Sequence, residues 1–103
     1  MEEKKYEVIM CIVNAGYSSI AMDAAKKAGA RGGTVIHGRG TANRESEAFF
    51  HIAIEPEKEI VIIIVPEEIK DNVLKALYEG AGLNTQGGGI AFSLSAEKVI
   101  GLS

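Results

Sequence analysis

The sequence predicts an α+β sandwich of the split βαβ, ferredoxin-like plan: a four-stranded antiparallel sheet with both helices on one face. Three observations predict it. Short apolar, β-branched runs alternate with two stretches of helical spacing. Each half of the chain repeats the order strand, helix, strand. In each half, glycine stands between the helix and the returning strand. The 103 residues are enough for one domain, 1–103, with a single core, and no low-complexity segment divides them.

The elements follow in order. Residues 6–13, YEVIMCIV, are short, apolar and β-rich, so they read as a strand. NAGYSS then turns the chain and offers Ser18 or Ser19 as a helix cap. Residues 20–28 read as a helix whose inner stripe is Ile20, Ala21, Ala24, Ala25 and Ala28, side chains small enough to let it lie close to a sheet. Gly29 stops it. Residues 32–38 read as a second strand, and the polar residues 39–47, RGTANRESE, as a loop. Residues 49–55 alternate, with Phe50, Ile52 and Ile54 on one face and His51, Ala53 and Glu55 on the other. PEK turns the chain at 56–58, and residues 59–65, EIVIIIV, make the strongest strand. Pro66 suits the first turn of a second helix, and Glu67 and Glu68 suit its positive end. Ile69, Val73, Ala76, Leu77 and Gly80 form its stripe, and Gly82 ends it. Residues 90–94 are the last strand.

That plan leaves one sheet face without helices, and such a face normally alternates apolar with polar residues. Two strands here do not. Ile60, Ile62 and Ile64 oppose Val61, Ile63 and Val65; Val8, Met10 and Ile12 oppose Ile9, Cys11 and Val13. Each large aliphatic side chain gains roughly 1.5–3 kcal/mol from burial, and an exposed patch of this size marks an interface. A homo-oligomer that buries the open face is expected. The alternative is that the segment 49–65 curls back over its own sheet.

Composition narrows the function. Hydrophobic residues are 47% and charged residues 24%, an ordinary globular balance, and the net charge of −3 argues against a nucleic-acid binder. The start, MEEKKYEV, is charged rather than apolar, and no apolar run approaches the roughly 18 residues of a membrane span, so a cytoplasmic protein is expected. Cys11 sits in an apolar stretch and reads as a buried, inert thiol with no activating base beside it. His37 and His51 lack a third metal ligand. Asp23, Glu45 and Glu47 show no acid–base pairing, and any serine in a loop, such as Ser46, is open to modification. No catalytic constellation and no metal site are expected, so the chain does not read as an enzyme.

Two glycine-rich places remain: GGTVIHGRGTA at 32–42 and TQGGGI at 85–90. Arg39 and Arg44 are two of only three arginines, and both fall beside the first. Backbone amides freed by glycine, joined by guanidinium groups, would suit a phosphate. The competing reading is that these glycines only turn the chain. The sites would meet across one sheet edge or across a subunit boundary.

GGTVIHGRGTA, EIVIIIVPEEIKDNVLKAL (59–77) and GGGIAFSL (87–94) together resemble the PII family of signal-transduction proteins, in a short and divergent branch. The likeness spans nearly the whole chain. It implies a homotrimer with sheets facing a central axis, adenine nucleotides in the clefts between subunits, and a T-loop that docks on a transporter or enzyme, in nitrogen regulation. By that resemblance Thr34 and Ile64 lie near an adenine ring. Gly38, Arg39, Gly40, Thr41 and Ala42 form the ligand-binding base of the T-loop. Asn43, Arg44, Glu45, Ser46 and Glu47 form its partner-binding part. Gly87, Gly88 and Gly89 are the phosphate-facing B-loop.

The chain departs from the family at several points. Ile90 stands where the B-loop usually ends in lysine, and Gly101 and Ser103 stand where arginines are common. Arg44 takes the place of a glutamine that helps bind 2-oxoglutarate. The T-loop is short and lacks a modifiable tyrosine. The expected effector is therefore AMP or ADP rather than magnesium-ATP, with no obligatory cofactor. The expected partners are other copies of the chain and a membrane transporter or metabolic enzyme. The alternative is a CutA-like metal-binding or structural trimer using His37, His51 or Cys11. An acylphosphatase-like enzyme would need its arginine and asparagine on two elements, whereas Arg39 and Asn43 share one loop.

Overall fold

The computed structural model describes residues 4–41 and 56–102. Strand β1 (Tyr6–Asn14) leads to helix α1 (Ser18–Lys27) and strand β2 (Thr34–Arg39). Strand β3 (Glu57–Pro66), a 3-10 turn (Glu67–Ile69), helix α2 (Lys70–Gly80) and strand β4 (Gly89–Ala96) follow. The sheet runs β2-β3-β1-β4, antiparallel throughout, so the two strongest apolar strands lie in the middle. This is the expected ferredoxin-like α+β plan. The second strand of the plan is β2 and the third is β3; the expectation for residues 49–55 lies outside the described residues.

Alternation in β1 and β3 divides the sheet cleanly. Ile9, Cys11, Val13, Val61, Ile63 and Val65 are buried against Ala21 and Ala25 of α1 and Val73 and Leu77 of α2. Ile20, expected on the inner stripe, is exposed, because α1 sets Ala21 and Ala25 toward the sheet. Gly80 is also exposed, yet a Cβ there would come within 3.1 Å of the Ala24 Cβ. It serves the crossing of the two helices rather than the sheet. At the far end of the core, Glu7 is buried and pairs with Lys70 Nζ at 3.3 Å, which keeps an otherwise isolated carboxylate compensated.

Three boundaries differ from expectation. Neither Ser18 nor Ser19 caps α1; Tyr17 is the N-cap residue and gives no side-chain bond. Glu59 supplies the cap instead: its Oε1 accepts from the Gly16 amide at 2.9 Å and the Ser18 amide at 3.0 Å. The PEK turn is not a turn at Glu57 and Lys58, which begin β3 opposite Arg39 and Gly38. Their polar side chains fit a sheet end whose partners are also polar. Pro66 closes β3 with ψ 144°, extended backbone, and α2 proper begins only at Lys70. Gly29 and Gly82 follow the helices with positive φ, as expected of helix stops.

The open face carries four cross-strand rows. Ile36, Ile60, Ile12 and Ile90 form one; Thr34, Ile62, Met10 and Phe92 the next; Ile64, Val8 and Leu94 the third. Beyond Ile36 the fourth row turns polar: Gly38, Lys58 and Asn14. No helix covers these rows. Ile36 is 46% exposed, Ile64 39%, Ile90 58%, Phe92 38% and Leu94 55%. The segment 57–65 lies within the sheet rather than folded over it.

Candidate functional site

Gly38 and Gly40 of the first glycine group lie at the same end of the sheet as Gly87, Gly88 and Gly89 but on the opposite edge, while Gly32 and Gly33 precede β2 at its other end. His37 stands opposite Glu59, Glu59 opposite Val13, and Val13 opposite Gly89. That row crosses all four strands, so Gly89 is about 14 Å from the β2 edge. The sheet order thus removes a site across one edge of a single chain; of the two expected arrangements, only a subunit boundary can unite Arg39 with Gly87, Gly88 and Gly89.

The loop into β4 is tightly closed. The Thr85 amide and hydroxyl both donate to the Gly82 carbonyl, at 3.1 Å and 2.5 Å. The Gly88 amide donates to the Thr85 carbonyl at 3.1 Å. A side chain at Gly88 would run into the Gly82 carbonyl oxygen, and one at Gly89 into that of Ile12. Close backbone approach does explain two of these three glycines, and the approaching backbone belongs to the same chain. A Cβ at Gly87 would meet nothing within 4 Å; with φ 75°, this glycine owes its identity to conformation. Beside the loop, Asn14, Tyr17, Ala81, Thr85 and Gln86 line a recess of about 110 Å³.

On the opposite edge, Arg39 is exposed and faces Glu57 in register, and the Gly40 amide donates to the Pro56 carbonyl at 2.6 Å. Thr41 is exposed just beyond. Thr34 pairs with Ile62, one step along the same face from Ile64, so the open face brings Thr34 and Ile64 together diagonally. They lie near the other end of β2, roughly 17 Å of strand from Arg39. Ala42, Asn43, Arg44, Glu45, Ser46, Glu47 and His51 fall outside the described residues.

Three residues not anticipated from sequence organise this end. Lys58 Nζ donates to Asn14 Oδ1 at 2.6 Å, and Asn14 Nδ2 donates to the Gly87 carbonyl at 3.2 Å. Glu59 caps α1, and the Ser18 amide above all, with the Ser18 hydroxyl, the Gly16 amide and His37, holds its carboxyl below the usual range. His37 Nδ1 lies 3.7 Å from Glu59 Oε2. Reading PEK as a turn hides Lys58, placing Glu59 at the start of a strand gives no sign of its capping role, and only the strand register reveals Asn14 as their neighbour.

Cys11 is enclosed in the core, and burial raises its thiol to about 11. That matches the inert reading and takes it out of reach of a surface metal. Among the described residues no group of three or more His, Cys, Asp or Glu is placed to hold a metal ion, and no helix is long and apolar enough to cross a membrane.

No family model matches the chain, and no curated protein does. Solved structures do match. The crystal structure of Arabidopsis thaliana PII bound to citrate superposes with a TM-score of 0.67 at 25% identity, over 89% of this chain and 75% of that one. The chain has a PII-like fold. A Bacillus cereus protein related to NIF3 superposes with a TM-score of 0.71 at 14% identity, over 95% of this chain but only 27% of that one. This second likeness concerns architecture alone.

Proposed function

We propose that this chain is a PII-like regulatory protein rather than an enzyme. It assembles as a homotrimer through its open sheet face, binds a small anionic effector between copies, and reports the bound state to a partner through the segment that follows Arg39. The observation that carries this reading is the pairing of an uncovered apolar face with glycines of both groups on opposite sheet edges at one end. A face of this kind favours association, and association is what could bring the two edges together. The PII-like fold supports the same plan.

AMP or ADP is the proposed effector class. Arg39 and the loop at Gly87, Gly88 and Gly89 would meet the phosphate, and Thr34 and Ile64 the base. Ile90 offers no charge for a third phosphate, which favours the smaller anions. Partner control would follow from a population shift: effector binding favours one form of the loop, and that form binds a transporter or metabolic enzyme. Nitrogen metabolism is the proposed setting.

Isothermal titration of the full chain with AMP, ADP, ATP and citrate, alongside light scattering, tests this. Binding of AMP or ADP to a trimer, lost in Arg39→Ala, is expected. A trimer that gives no heat with any of the four would overturn the effector assignment, and a monomer would overturn the whole reading.

A further inference from the structure

We infer that Lys58 and Asn14 form a coupling bridge through which the β2–β3 end of the sheet sets the conformation of the Gly87 peptide. Asn14 ends the β1 strand, between β3 on one side and β4 on the other. Its carboxamide is used at both ends, Oδ1 by Lys58 and Nδ2 by the Gly87 carbonyl. Only a side chain with both donor and acceptor can serve both neighbours, and this pattern fixes which way the amide points. The Lys58 stem in turn passes over Gly40, where a Cβ would come within 2.9 Å of its Cε. Gly40, Lys58, Asn14 and Gly87 therefore form one continuous contact line across β3, β1 and β4.

The two bonds of the bridge are unequal. The first has a charged donor and is the shorter and stronger. It polarises the amide and so strengthens the bond to Gly87. The receiving loop has little slack, since a side chain at Gly88 or Gly89 would run into the Gly82 or Ile12 carbonyl. Displacing the Lys58 head thus loosens the Gly87 contact, and the loop responds as a unit. Asn14 is a positioning residue for the glycine loop, and Lys58 acts through it. The coupling is a property of one ligand-free chain, so it stands or falls separately from the proposed effector.

The test uses the ¹⁵N-labelled full chain and compares Lys58→Met, Asn14→Ala and the double variant. Both single variants are expected to move the amide resonances of Gly87, Gly88 and Gly89, and to speed exchange at the Gly88 amide by about three- to tenfold. The double variant should do no more than Asn14→Ala alone, as for residues acting in series. Glycine resonances unmoved in Lys58→Met, or effects that simply add, would overturn the bridge. Should Lys58→Met fail to fold, Asn14→Asp decides. It keeps the acceptor for Lys58 but has no donor for Gly87, so unchanged glycine resonances there would also overturn it.

Discussion

Replacing Leu94 by glutamate tests the open face most directly. Five large side chains on that face, Ile36, Ile64, Ile90, Phe92 and Leu94, are each roughly half exposed. Full burial of such a side chain is favourable by roughly 1.5–3 kcal/mol, so covering what remains contributes about 4–7 kcal/mol per copy. Association costs on the order of 4–15 kcal/mol, a term of the same size, so any net surplus is small. Leu94→Glu removes about 1 kcal/mol of that burial and adds an unpaired carboxylate, an effective penalty of several kcal/mol. Its net effect, repeated in every copy, exceeds the surplus. Leu94 lies outside the buried core cluster, so the variant should fold. Sedimentation velocity at micromolar concentration should show an oligomer for the parent chain and a 10.9 kDa particle for the variant. Lys75→Glu, on an exposed outer position of α2, should leave assembly untouched. A variant that assembles as the parent does, with its circular dichroism intact, would refute the assignment of this face.

Other outcomes follow from the local geometry. Glu59 is held below the usual carboxyl range, so its contribution is complete above the unfolded-state pKa and drains as pH falls through the lower folded value. Melting curves from pH 7 to 3 should lose that slope in Glu59→Gln, and an unchanged profile would contradict the capping role. Cys11 is the reverse case: its raised thiol contributes stability below the ordinary value of 9.0, and that contribution is lost as pH climbs from there to about 11. Cys11→Ala should remove this alkaline slope, and a thiol reagent should label the parent only on unfolding. Gly88→Ala forces a contact with the Gly82 carbonyl and should cost roughly 1–3 kcal/mol. Gly87→Ala, strained only by its positive φ, should cost about 1–2 kcal/mol; equal melting temperatures for Gly88→Ala and the parent would refute the close approach.

Much of the fold is legible because the sheet's period is strict. In residues 59–65 every position is aliphatic after Glu59, and the side chains at 61, 63 and 65 have to share a face whatever covers it. The helices are readable from their alanine and leucine spacing. The differences cluster where polar residues take part in elements. Glu57 and Lys58 read as a turn because they follow Pro56, a turn residue, yet they pair with Arg39 and Gly38. Ser18 reads as a cap because its type favours that role, but a carboxylate forty-one residues away takes it. Such long-range partners leave no periodic trace. The candidate site is legible as two glycine groups but not as a geometry, because their placement on opposite edges depends on strand order.

That strand order makes assembly and site formation one event under the proposed function. The polar row of Gly38, Lys58 and Asn14 borders the apolar rows of the open face. Whatever buries those rows therefore has its rim at the end of the sheet where Gly38 and Gly89 lie. A single copy holds Arg39 and Gly89 on edges about 14 Å apart, too far for one phosphate to bridge. Effector binding should then depend on protein concentration, because ligand that binds only the assembled form stabilises it by mass action. Leu94→Glu should lose assembly and binding together, although its position is in the apolar rows and not among the glycines. Arg39→Ala should lose binding alone. If Leu94→Glu were monomeric and still bound AMP or ADP with the parent's affinity, the effector would have to sit within one chain, and the recess beside Asn14 and Tyr17 would be the place to look.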